Sequence, residues 1–370
     1  VGQTVWTIDR VLAGPRNDAG VLSRLAEEAA ARADVNTAKW QRFPAATLEA
    51  AAHDAGNQTG VLRIDQPLWT GGRLTAAIDG ATSRLSATAA ATEELRLDVT
   101  MRAIAAFAEA LKQSANLDIA AAGLAEHEAL VQTVQRRVTE GLASAPDLRL
   151  VEARVLQASN EVALATQSRA SALIRLGTFA GEPVERVSGA GADRFLPPSD
   201  SSRAVEQALA FSPTVRRLTF EVAAAASDVA TQRAAVAPQV GLRAEKAVGA
   251  VRDNRLMLQF QVQTGPGFAA KSGVEAALAR QNAARFALES ARRDVEERTA
   301  LDWAEWDAAK KRLRGAQDMR ERYADVVESF KRQYDVGRRA PIDLLNAVRE
   351  LTVTDFAIEE ARATMLAAAL

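Results

Sequence analysis

The chain has 370 residues, 25% of them charged, a formal net charge of −1 and no cysteine. That balance removes a whole-chain electrostatic case for nucleic-acid binding. The missing cysteines remove disulfides, thiolate chemistry and cysteine-ligated zinc. No apolar run reaches the ~18 residues of a transmembrane helix. Abundant alanine with 5% aromatic residues favours long, closely packed helices. The chain begins at Val1 rather than Met, the start expected of a processed or trimmed product.

In chain order, a helix is expected over about 17–40 and ends before Pro44, because proline and the residue preceding it disfavour helix continuation. Two short strands follow, about 44–53 and 61–69, joined by a turn at 54–60. Gly71 and Gly72 turn the chain into a helix over 73–140, a stretch with no proline and only Gly80 and Gly123. At 1.5 Å per residue it would extend roughly 100 Å. A tip turn near 141–147 leads to a return helix. The second half reads the same way: a helix over about 202–235, strands over about 239–247 and 255–263 joined at 248–254, then a turn containing Gly265, Pro266 and Gly267. A long helix over 274–336, a tip near 337–343 and a return helix complete it.

Landmarks align the two halves. Pro44 matches Pro238, Gln66 matches Gln261, Gly72 matches Gly267, Gly141 matches Gly337 and Asp147 matches Asp343, at offsets of 194 to 196. The chain therefore reads as a tandem duplication, 1–180 and 203–370, with 181–202 as the linker.

Strand residues alternate. Leu256, Leu258, Phe260 and Val262 fall on one face of the last strand, with Met257, Gln259, Gln261 and Gln263 opposite. In the earlier strand Leu62, Ile64 and Leu68 share a face, with Arg63 and Asp65 opposite. This pattern suits an amphipathic hairpin on a soluble core, and it suits a membrane β-barrel with apolar residues towards lipid. If the strands span a membrane, four per chain cannot close a barrel, since the smallest has about eight, and open edges are not tolerated in lipid. Several chains would share one barrel, and three would supply twelve strands.

The duplication, the passage "QPLWTGGRLTAAIDGA" and the turn "VGRRAPIDLLNAVRELT" together resemble the TolC family of trimeric outer-membrane channel proteins, over nearly the whole chain. The resemblance implies a mainly α fold with a small β part: a duplicated protomer of long α-helices and four strands. Three copies would form a homotrimer with a 12-stranded β-barrel in the outer-membrane lipid of a Gram-negative bacterium, continued by an α-helical barrel in the periplasm. It also implies docking to a periplasmic adaptor (membrane fusion) protein and an inner-membrane transporter. The cargo would be a protein leaving by type I secretion, such as an adhesin, or small molecules leaving by efflux; "WQRFPAATLEA" looks nearer the protein-secretion branch. Gly71, Gly72, Gly265 and Gly267 would mark where barrel becomes tunnel.

The same resemblance implies a periplasmic gate at the tip turns of Gly141 and Gly337, made by Asp147, Tyr334, Arg339 and Asp343, with Arg339 pairing to Asp147. Asn346 stands where the family often has a second acid, which halves the expected acidic ring. The reading from a different class is a soluble periplasmic coiled-coil adaptor or scaffold.

No catalytic constellation or cofactor motif emerges, and the chain is not expected to be an enzyme. His53 and His127 are isolated, and "GPRNDAG" lacks the Lys-Ser/Thr that a phosphate-binding loop needs. Arg136-Arg137 and Arg216-Arg217 are basic pairs too short for a nucleic-acid stripe.

Overall fold

Turn-forming residues set the element boundaries. The computed structural model describes residues 5–13, 18–52, 58–191, 194–248, 253–262 and 269–369. The elements are β1 (Val5–Trp6), α1 (Ile8–Leu12), α2 (Ala19–Trp40), β2 (Ala45–Ala52), β3 (Gln58–Trp69), α3 (Arg73–Thr139) and α4 (Ala145–Ala180). There follow β4 (Arg186–Val187), α5 (Ser201–Phe211), α6 (Pro213–Ala235), β5 (Gln239–Val248), β6 (Asp253–Gln261), α7 (Ala269–Asp335) and α8 (Pro341–Ala369). The order α2-β2-β3-α3-α4 recurs as α6-β5-β6-α7-α8. Both α3 and α7 run 67 residues, as expected of segments free of proline. Ser144 starts α4 with a capping box shared with Asp147, and α8 begins at Pro341, where the missing N–H costs nothing.

Two expectations need correction. The helix read over 202–235 is two helices, because Ser212 accepts the Val215 N–H at 3.3 Å and Pro213 opens α6. The stretch 181–202 is more than a linker, since β4 pairs in parallel with β1 (Val5 to Arg186, Trp6 to Val187). Both small strands escape sequence reading because two residues carry no alternation.

The chain divides into two compact units, Val1–Asp18 with Arg96–Ala208 and Glu297–Leu370, and Ala19–Leu95 with Leu209–Glu296. Neither unit is one repeat; each takes part of both. Among the described residues the first unit holds two cores. One gathers Ile8, Phe107 and Leu176, all fully buried, with Trp6, Leu173 and Leu366 around them. The other lies where α3, α4, α7 and α8 reach the tip turns, and gathers Leu130, Val134, Val151, Tyr334, Leu344, Leu345 and Val348.

The second unit holds the sheet and the helices next to it. Here Glu94 of α3 accepts from Arg217 Nε at 2.6 Å and from Thr214 Oγ1 at 2.9 Å, both on α6. Arg84 and Asp228 form a further α3–α6 pair at 2.5 Å. The sheet is antiparallel in the order β2-β3-β5-β6. Its central pair, β3–β5, joins the two repeats, and β2 and β6 are its outer strands.

Candidate functional site

The sheet has two chemically different faces. Directly opposed residues in an antiparallel ladder share a face, so the register assigns them. Leu48 opposes Leu62, Ile64 opposes Ala244, Ala244 opposes Leu256, Leu242 opposes Leu258 and Val240 opposes Phe260. Leu48, Leu256, Leu258 and Phe260 are each at least 69% exposed in the single chain. A bulge between Pro67 and Trp69 brings Trp69 opposite Val240 and leaves Leu68 unpaired; both side chains are exposed. Val262, just beyond β6, is exposed too. Gln66, Lys246 and Asn254 are polar residues on this face whose side chains are described; the latter two oppose each other near the hairpin end.

The opposite face carries ions in pairs. Arg63 bonds Glu245 at 2.9 Å and Glu49 at 3.1 Å, and Arg243 bonds Asp65 at 2.5 Å. Positive and negative charges thus alternate across three strands and largely cancel. Sequence alternation found Arg63 and Asp65; their partners follow only from the registers of β3 with β2 and with β5.

Gly71 and Gly72 turn β3 into α3 with φ of 60° and 89°. A Cβ on Gly71 would lie 2.5 Å from the Ala237 Cβ, so the close approach of this turn to the end of α6 demands glycine as well. Their counterparts Gly265 and Gly267 lie outside the described residues, as do His53 and Gln263.

At the tips, Gly141 and Gly337 both have positive φ, 71° and 75°. Tyr334 is 3% exposed and packs among Leu130, Val134, Val151 and Leu345. Burial pushes its hydroxyl above the ordinary tyrosine range; Arg137 opposes this, and Asp147 and Asp335 add to it. Tyr334 and Asp147 are therefore electrostatic neighbours, although they come from different repeats. The Tyr334 hydroxyl is buried and makes no hydrogen bond within the described residues.

Arg339 does not pair with Asp147 within the chain. Its guanidinium lies 3.7 Å from the Phe330 ring centre, donates to no carboxylate of the first repeat among the described residues, and donates to Gln333 at 3.1 Å and Asp343 at 3.4 Å. Arg339 lies in the turn that leads into α8, and Asp343 sits in the first turn of that helix. Asp147 is held by its own capping box, bonding the Ser144 hydroxyl at 2.7 Å. Arg137 crosses between the hairpins at the tip, reaching the Tyr334 carbonyl at 2.6 Å; Lys331 of α7 and Glu126 of α3 also pair across them at 3.9 Å. Sequence reading passed over Arg137 as half of a basic pair; its place in the last turn of α3, near helix carbonyl ends, was the available signal.

His127 lines a cavity of about 280 Å³ with Arg154, Glu161 and Arg349. Burial holds its imidazole below the usual histidine range, with Glu161 and Glu126 opposing and Arg154 assisting. Among the described residues no cluster of His, Cys, Asp and Glu could hold a metal ion, and no helix is long and apolar enough to cross a membrane.

The profile of the outer membrane efflux protein family matches residues 16–182 and again 204–370. Comparison with curated protein sequences gives no match. Among solved structures, the open state of the Neisseria gonorrhoeae MtrE outer membrane channel superposes with a TM-score of 0.82 at 17% identity, over 98% of this chain and 86% of that one. The outer membrane protein VceC of Vibrio cholerae gives 0.81 at 17% identity, over 98% and 93%. A membrane protein from Pseudomonas aeruginosa gives 0.82 at 18% identity, over 98% and 90%. The double match covers both repeats, and the chain belongs to the outer membrane efflux protein family.

Proposed function

We propose that this chain is one third of a passive exit duct, in which three copies close a twelve-stranded barrel in the outer membrane. The observation that carries this reading is the sheet: four strands with an apolar face, a face of cancelling ion pairs, and outer strands β2 and β6 each paired on one side. In lipid the free edges need partners, and further copies of the same sheet supply them edge to edge. Apolar side chains then meet lipid, and the paired ions of Arg63, Asp65, Arg243 and Glu245 line water. A lumen of cancelling charge does not select cargo by its sign. The helices continue the passage through the periplasm towards an adaptor and an inner-membrane transporter. Tyr334, Asp147, Arg339 and Asp343 form its constriction at the tip turns. The family's description as efflux proteins supports small molecules as cargo.

The test is electrical. Purified protein added to planar lipid bilayers is expected to give discrete, long-lived conductance steps, with larger steps for Tyr334→Phe combined with Arg339→Glu. Membrane-inserted trimer that conducts no ions would overturn the duct; unchanged steps in the double variant would remove these residues from the constriction.

A further inference from the structure

Arg136 and Arg137 end α3 side by side, and the duct as described uses neither. Arg136 is exposed, whereas Arg137 is half-buried. Arg137 Nη1 donates to the Tyr334 carbonyl at 2.6 Å and to the Asp335 carbonyl at 3.3 Å. The guanidinium carbon sits 5.0 Å from the centre of the Tyr334 ring. These carbonyls belong to the last turn of α7, where α-helical donors run out and the helix dipole is negative. The Arg338 N–H, which an unbroken helix would direct to Tyr334, goes instead to the Gln333 carbonyl at 2.9 Å, and the Tyr334 carbonyl takes the Gly337 N–H at 2.9 Å, with Arg137 as its second donor. Gly337 leaves room for the arrangement, since a Cβ there would lie 3.0 Å from Arg137 Nη2.

We propose that Arg137, on the first hairpin, caps the C-terminal end of the second hairpin's helix and fixes the place of Tyr334, so that the two tip turns of one chain move as one body. This differs from an Arg339–Asp147 link: both of those side chains are engaged within their own hairpins. A planar guanidinium can bridge two carbonyls and lie on a ring at once; an ammonium group is a single point charge. Arg137 is a positioning residue, and the proposal rests on the duct reading only where it concerns passage through the tip.

The experiment is hydrogen exchange on the full chain in detergent, read by mass spectrometry, for the wild type, Arg137→Gln, Arg137→Lys and Arg136→Gln. Loss of two charge-assisted hydrogen bonds should speed exchange about tenfold over residues 333–338 in Arg137→Gln. Arg137→Lys, which keeps charge and bulk, should speed it less and covers the case in which the glutamine variant does not fold. Arg136→Gln should match the wild type. Equal exchange over 333–338 in all four would overturn the cap. In bilayers Arg137→Gln should raise the mean current severalfold and Arg136→Gln should not; unchanged current with faster exchange would overturn the coupling to passage. A silent wild type would overturn the duct while leaving the exchange result to decide the cap.

Discussion

Gly71 sits where backbone angle and space both exclude a side chain. Gly71→Ala adds the cost of a left-handed backbone, about 1–2 kcal/mol, to an overlap with Ala237 costing roughly 1–3 kcal/mol. Gly72→Ala carries the first cost alone, because no neighbour stands within 4 Å of a Cβ there. Thermal unfolding should rank wild type above Gly72→Ala, and Gly72→Ala above Gly71→Ala; equal midpoints for the two variants would refute the close approach. Glu94 offers a test with pH. Burial raises its pKa, but hydrogen bonds from Arg217 and Thr214 outweigh that and hold it below the ordinary glutamate value. A depressed pKa means stability that is full above about pH 4.3, the unfolded value, and lost as pH falls through the folded one. Glu94→Gln should therefore lower stability at pH 7 by about 1–2 kcal/mol and flatten the acid limb of the stability–pH curve. An unchanged acid limb would contradict this.

Among elements, β6 separates the two faces most cleanly. Leu258→Arg puts a charge on the apolar face and should cost ~2–4 kcal/mol at mid-membrane, read as loss of assembled protein from the membrane fraction. Gln259→Arg, one residue on, faces the ion-pair side and should assemble normally; equal tolerance would contradict the membrane assignment. The strands, long helices and tip turns were legible because each has a local cause: alternation, absence of proline, glycine at positive φ. The β3–β5 pairing was not, since residues such as Arg63 and Glu245 meet across 182 positions and alternation fixes a face without naming a neighbour. The α5–α6 break was visible as Ser212-Pro213, but the alanine-rich pattern runs on through it and suggested one helix. At the tip, matched spacing located Tyr334 and Asp147 near each other. It names Asp147 as the partner of Arg339, whereas Arg339, in the turn before α8, is held over the Phe330 ring and reaches Asp343 in the first turn of α8.

For the whole molecule, the duplicated sequence folds into units that each draw on both repeats. Neither repeat can therefore hold its unit's fold alone, and half-chains are expected to stay unfolded when expressed separately. A half-chain with a cooperative thermal transition would contradict that. The alternative of a soluble adaptor loses its footing in the family match over both repeats; the protein's place is the outer membrane. The proposed duct requires that one chain cannot close its barrel and that three do. Native mass measurement of the detergent-solubilised protein tests it most directly. The expected particle contains three chains of 39.5 kDa; a dispersed single chain that keeps its full β-sheet signal would contradict the shared barrel.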